Sequence, residues 1–314
     1  MAGSTIYDVG FWPATGAPTH EDLVDIVTIL DSFQTPFFSS APKNRARDVV
    51  HSWTVDTLAA TATAGEGEMS AFAADTLTAP TRLFNMTQIF RRDVEVSDRE
   101  RASNVAGIRD MYEHQIMKEF KVIARNCERR IFDSHIASTG SASGANGANA
   151  SLMAGLRGFS IITASSASGG VTTADIVTLS ESLFNAGAEP DSIWFAPASK
   201  RQFVNATVSS GSGNVRNIAA TDQKLVANID VFETPFNQLY AVITDRFIPI
   251  STNSASGAYY IGDRSMAKIS FFRPPQHKPM GKVGDGTRGL VLMECTLQLD
   301  HPSSWAAMTG VTNA

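Results

Sequence analysis

Apolar and polar positions alternate along two stretches of this chain, residues 50–58 and 84–96, and the segment between them holds little that could form a core. In the first stretch Trp53 and Val55 share a face. In the second, Phe84, Met86, Phe90, Val94 and Val96 share one parity while Asn85, Thr87, Arg91 and Asp93 share the other, the period of a strand. Between the two limbs the sequence is rich in Gly, Ala and Thr, with Gly65 and Gly67 for bending. The pattern predicts a long two-stranded loop over residues 48–96. Such a loop is too thin to bury its own apolar residues, and another copy of the same chain is the expected cover. The plainer reading is a surface loop, although loops of that length are uncommon without a task.

Helical spacing follows. From Val105, the residues Ile108, Tyr112, Ile116, Phe120, Ile123, Cys127 and Ile131 advance by threes and fours with no proline between Pro80 and Pro190, which predicts a helix of roughly 30 residues, about 45 Å long. Arg109 with Glu113 and Arg129 with Asp133 are spaced for ion pairs along it. Lys118, Lys121, Arg125 and Arg129 form a basic stripe on one side of the rod, which reads either as a solvated face or as a surface for a neighbour's acidic loop or a packaged polyanion. A shorter amphipathic helix is expected from Thr19, with Leu23, Ile26, Val27 and Leu30 on one face. After a low-complexity stretch beyond Ser138, residues 175–188 and 199–209 read as helices around a buried strand, SIWFAP, with Gly187 and Pro190 ending the first. Later strands are expected at 229–232, 239–244, 258–261, 267–272 and 290–299, the last apolar on both faces and therefore central in its sheet. The fold class is α+β.

Composition narrows the chemistry. The chain has 314 residues, 43% hydrophobic and 18% charged, with a mean hydropathy of −0.06, and it has no apolar run of the roughly 18 residues that span a bilayer. The start lacks the basic-then-apolar order of a signal peptide, so the protein is expected in the cytosol or in something assembled there. The net charge is −5, and no Lys or Arg precedes Lys43, which argues against a basic nucleic-acid arm at the N-terminus. Cys127 and Cys295 lack metal or disulfide-scaffold spacing and read as buried thiols. Six histidines, His20, His51, His114, His135, His277 and His301, show no HExxH pairing. Neither a nucleophile elbow nor a Cys–His signature is present. The glycine-rich MGKVGDGTRG fails the phosphate-loop order and reads as a link between strands. Glu66 and Glu68 sit on the loop tip, where docking against cations suits them better than acid–base work. Sequons at Asn85, Asn149 and Asn205 carry no weight without a secretion signal. No cofactor, metal or catalytic residue is expected.

Taken in order, LDSFQTPFFSSAPK, HSWTVDTL, TRLFNMTQIFRRDVEVS, the long helix, MAGLRGF, AEPDSIWFAP and the closing FFRPPQHKPMGKVGDGTRGLVLMECTLQLDHPSSWAAMTG resemble the major capsid proteins of tailed bacteriophages over nearly the whole chain. The resemblance implies the Hong Kong 97-like capsid fold: an N-terminal arm (1–47), an extended β-hairpin loop (48–96), a peripheral domain with a long spine helix (97–170 and 263–303) and an axial domain (171–262 and 304–314). It implies a structural protein that self-assembles, through pentamers and hexamers, into the icosahedral shell around a double-stranded DNA genome, located in the virion capsid and assembled in the host cytoplasm. Candidate partners are further copies of the chain, portal, scaffolding and cement or decoration proteins, and packaged DNA held by non-specific contact, with no membrane.

Trp53, Glu66, Glu68, Phe84, Met86, Phe90, Lys118, Lys121, Arg125 and Arg129 are the expected intersubunit contacts. Some members of the fold cross-link through a lysine on the extended loop. This chain has none between Lys43 and Lys118, so a non-covalent shell is expected, whose boiled particles run as one band near 33.7 kDa. A long internal scaffolding domain has no room before Thr19, so such a domain is expected to have been removed or replaced by a separate protein. Two rivals remain open at this point: an encapsulin-type nanocompartment of the same fold, and a hydrolase or adhesin with an elaborate surface loop.

Overall fold

The computed structural model describes residues 34–58, 68, 79–103, 108–133, 136–138, 151–166, 170–209, 218–219, 224–225, 229–249, 258–282 and 284–311. The helix expected from Thr19 and the low-complexity stretch after Ser138 lie outside them. In chain order the elements are α1 (Pro36–Ser40), β1 (Lys43–Arg45), β2 (Val50–Val55), β3 (Thr81–Met86), β4 (Gln88–Ser97), α2 (Asp98–Ala102), α3 (Met111–Ile131), β5 (Ile162–Ser165), α4 (Thr173–Asn185), β6 (Ser192–Phe195), α5 (Pro197–Ser209), β7 (Ile218–Ala219), β8 (Lys224–Leu225), β9 (Val231–Glu233), β10 (Leu239–Thr244), β11 (Ala258–Gly262), β12 (Ala267–Met280), β13 (Gly286–Leu299) and β14 (Trp305–Thr309).

Two sheets organise the chain. The first has the order β1-β12-β13-β4, with β12, β13 and β4 antiparallel and β1 parallel to β12. As its pattern required, β13 is central; nine of its residues in a row, Val291–Leu299, are buried. The strand β12 is 14 residues long and runs past the end expected at residue 272. It tolerates Pro274 and Pro275 because register shifts fall on either side of Arg273, and because β1 flanks β12 only as far as Phe271, so the missing amides cost no ladder bonds on that side. The glycine-rich stretch turns β12 into β13, with Gly284 at φ 74°. A Cβ at Gly289 would overlap the Tyr112 hydroxyl and the His277 ring, so this glycine serves helix-to-sheet packing.

The second sheet has the order β5-β14-β11-β6-β10-β9, and its inner strands β14, β11 and β6 are buried on both faces. Residues Ile193, Phe195, Tyr259, Ile261, Ala306 and Met308 face a core shared with Ile176, Leu179 and Leu183 of α4. Their neighbours Trp194, Tyr260, Trp305 and Ala307 face a second core with Phe37, Phe132, Ile131 and Leu156. The strict alternation is the strand period seen from both sides. Strand β5 belongs to this sheet, pairing parallel with β14.

Helix α3 has 21 residues, about 31 Å at 1.5 Å per residue, and is shorter than expected. Asp110 is its N-cap, accepting the Tyr112 amide, and that amide with the Arg101 guanidinium holds the Asp110 carboxyl below the usual range. A capped start at Met111 fixes the helix there, while residues 98–102 form the separate α2 with its own cap, Ser97. At the other end Asp133 receives the Arg130 guanidinium at 3.2 Å. Cys127 and Cys295 are both free and buried, as expected, with sulfurs 3.5 Å apart between α3 and β13.

Candidate functional site: a rooted hairpin with a free face

Strands β2 and β3 pair antiparallel from Val50↔Met86 to Val55↔Thr81, as two limbs of the expected loop. The return limb is not one strand. It breaks at Thr87, and β4 then leaves the hairpin to pair with β13. Cross-strand pairing places His51, Trp53, Leu83 and Asn85 on one face of the hairpin and Val50, Ser52, Arg82, Phe84 and Met86 on the other.

The first face is fastened to the chain's own body. The Trp53 indole donates to the Leu299 carbonyl at 2.8 Å and its ring lies 6.0 Å from that of Phe159. The His51 ring bonds Gln298 Oε1 at 2.8 Å, and that same oxygen accepts from Asn44 and Ser270. Asn85 is fully buried. Its amide donates to the carbonyls of Leu297 at 2.7 Å and Ala154 at 3.3 Å, and its oxygen accepts the amides of Ala154 and Met86. One side chain thus ties hairpin, sheet and the segment after the low-complexity stretch together.

At the break, the Thr87 hydroxyl donates to Glu294 Oε1 at 2.7 Å, and Arg273 pairs with Glu294 Oε2 at 2.6 Å. Glu294 is 4% exposed, and a buried carboxylate with both oxygens occupied fixes a geometry more than it adds stability.

The second face is open. Phe84 is 56% exposed and Val50 40%, with Arg82 donating to Ser52 Oγ between them. Beside Phe84 a groove of about 240 Å³ is walled by Leu83, Ile136, Ala137, Phe159 and Pro302, and Ile136 is 73% exposed. At the far end Leu58 stands almost wholly in solvent.

The residues expected as intersubunit contacts therefore divide. Phe90 and Met86 are 7% and 9% exposed, and Phe90 is part of the core beneath α3; both are committed within the chain. Trp53 is half-buried against its own body. The strand parity that grouped Phe84 with Phe90 is real, but the break at Thr87 sends the two into different sheets. Phe84 alone of the apolar set is presented outward. Glu68 is exposed, and Glu66 lies outside the described residues. On α3, Lys118, Lys121 and Arg129 are exposed, while Arg125 is half-buried with its guanidinium 5.5 Å from the Phe247 ring. Sequence reasoning missed Asn85, Glu294 and Gln298, whose roles come from partners far along the chain.

Three of the described histidines serve packing. Apart from His51, the His277 ring meets the Tyr112 hydroxyl at 3.0 Å, and His301 Nδ1 accepts the Ser303 amide at 3.2 Å. Among the described residues, no cluster of three His, Cys, Asp or Glu is placed to hold a metal, and no helix is long and apolar enough to cross a membrane.

Known proteins share this fold. Structural similarity extends to the cyanophage A-1(L) capsid asymmetric unit, at a TM-score of 0.67 and 12% identity over 94% of this chain and 97% of that one. It extends also to the holo-SrpI encapsulin of Synechococcus elongatus PCC 7942, at 0.57 and 13% over 92% and 94%. At these identities the likeness shows the fold, the Hong Kong 97-like one. A major capsid protein of Escherichia phage Phieco32 is 22% identical over 322 residues, 88% of this chain and 90% of that protein. Residues 4–312 match the SU10 major capsid protein family, and with the match spanning nearly the whole sequence, the chain belongs to that family of phage major capsid proteins.

Proposed function

We propose that the outward face of the β2–β3 hairpin is the contact by which one copy clasps the next in a closed shell. The observation that carries this reading is the asymmetry of the hairpin: one face is bolted to its own body through Trp53, His51 and Asn85, and the other leaves Phe84 and Val50 in solvent. A rooted arm with a free apolar face is suited to bury that face on another molecule. Head-to-tail contacts of this kind close into rings when the rotation permits. Burying a phenylalanine side chain contributes roughly 1.5–3 kcal/mol, small for one contact but repeated at every copy of the shell.

The acidic tip carrying Glu66 and Glu68 docks, in this reading, against the stripe of Lys118, Lys121, Arg125 and Arg129 on the neighbour's α3. The shell encloses double-stranded DNA through non-specific contacts, recruits portal and scaffolding proteins, is held without covalent cross-links, and has no enzymatic activity of its own. It is assembled in the host cytoplasm. Phe84→Asp tests the clasp: the variant is expected to give a folded, soluble subunit that sediments as small species where the wild type yields particles. Normal particles from Phe84→Asp would overturn it. The encapsulin neighbour supports a second reading, a compartment with protein cargo, and the contents of purified particles, DNA or protein, separate the two.

A further inference from the structure

The segment at residues 35–41 crosses the body as a strap. Phe37 on α1 is buried among Phe132, Trp194 and Trp305, with ring centroids 5.4, 5.3 and 5.8 Å away. One side chain holds the strap's entry. Glu128, fully buried in the last turns of α3, accepts the Phe37 amide at 2.7 Å through Oε1 and the Phe38 amide at 2.6 Å through Oε2. Behind it stands Asp245, just past β10 and 1% exposed, whose own amide donates to the Phe195 carbonyl. Its Oδ1 accepts the Phe247 amide at 2.8 Å, while Oδ2 meets no donor. The two carboxyl groups lie close enough to act directly on one another. Carboxylates offer only lone pairs, so two of them in contact, with a buried oxygen lacking any donor, need a proton between them.

We propose that Glu128 and Asp245 hold one proton in common and that this proton latches the strap onto the body. Strap, α3 and the end of β10 meet at this point, so the latch joins three parts of the chain. The surrounding charges are few. The strap itself offers two amides and no charged side chain. From β1, the Lys43 ammonium reaches the Phe38 carbonyl and lies 4.4 Å from the Phe38 ring centroid, close enough to Glu128 to be influenced by it. Cys127 on α3 and Cys295 on β13 complete the set near Lys43; Arg125 lies 5.5 Å from the Phe247 ring centroid, and Arg246, next to Asp245, is exposed. Lys43 thus balances the single negative charge that remains on the protonated pair.

Burial, followed by the Asp245 charge, pushes the Glu128 carboxyl up to about 9, and burial raises Asp245 as well. A carboxyl whose pKa is raised by docking keeps a proton that the undocked form has lost. Its stabilisation is therefore complete below about pH 4.5 and is lost as pH rises toward about 9. Burial also lowers the Lys43 pKa, so a test must separate the lysine from the acid pair.

Amide hydrogen exchange at Phe37 and Phe38 in the full chain reads the latch directly. In the wild type, the protection factors of these two amides are expected to fall by up to about tenfold per pH unit between pH 6 and 9. In Asp245→Asn, whose side-chain amide donates to Glu128 without any titrating proton, they are expected to stay level. Lys43→Arg, which keeps its charge, is expected to retain the wild-type slope. Equal slopes in wild type and Asp245→Asn overturn the proposal, as does a slope abolished by Lys43→Arg alone. Should Asp245→Asn not fold, the infrared spectrum of the wild type decides: a buried protonated carboxyl band at pH 7 that disappears above pH 9 supports the shared proton, and its absence at pH 7 overturns it. The readout is made on the subunit and is independent of whether the hairpin builds shells.

Discussion

The two faces of the β2–β3 hairpin differ in chemistry more than in hydrophobicity. The body-facing side is held by directional bonds from Trp53, His51 and Asn85 to main-chain and side-chain acceptors of β13, whereas the outward side offers the rings and methyls of Phe84 and Val50 with no directional partner. Bonds with defined geometry aim the arm, and a non-directional apolar face lets the contact it makes adapt. In the proposed shell, where the arm meets non-identical neighbours around five- and six-fold positions, both properties are needed on opposite sides.

Substitutions on the two faces should separate folding from assembly. The largest loss of stability is expected from Asn85→Ala, which orphans four buried backbone groups at once. Denaturant titration should show a loss of about 3 kcal/mol, with assembly failing because the subunit fails. Phe84→Asp should do the reverse, leaving the midpoint within about 0.5 kcal/mol of wild type while particles are lost. Trp53→Phe keeps a ring beside Phe159 but removes the bond to Leu299; a loss of about 1 kcal/mol is expected, with faster amide exchange confined to β2 and β3. The smallest effect is expected from Glu66→Lys with Glu68→Lys, which should slow assembly at low salt and be indistinguishable from wild type at 1 M salt, where the Debye length is about 3 Å. Light scattering follows both arms of that test.

Much of the scaffold was legible in residue patterns. The helices α4 and α5, the buried β6 between them and the central β13 follow from periodicity and from punctuation such as Gly187. The order of motifs was enough to suggest the family. What periodicity could not say was which neighbour a face meets. Parity grouped Phe84 with Phe90 correctly as a strand pattern, yet Thr87 and Glu294 divert the chain between them, and only Phe84 remains outside. Glu128 illustrates the same limit. In sequence it is one more charge on a helix rich in charges, next to Arg129 and Arg130, and its amide partners lie 91 and 90 residues away. The start of α3 was missed for a local reason: Asp110 caps a helix that the apolar spacing alone would have begun earlier. The length of β12 was missed because two prolines ordinarily end a strand, and the release comes from a bulge and an unpaired flank that only the fold supplies.

Cryo-electron microscopy of particles formed by the wild-type chain tests the central claim most directly. The account predicts closed shells in which each hairpin keeps its Trp53 and Asn85 bonds to its own body and lays Phe84 against an adjacent copy. Shells in which Phe84 remains in solvent, or a protein that stays monomeric under conditions where the family assembles, would contradict it.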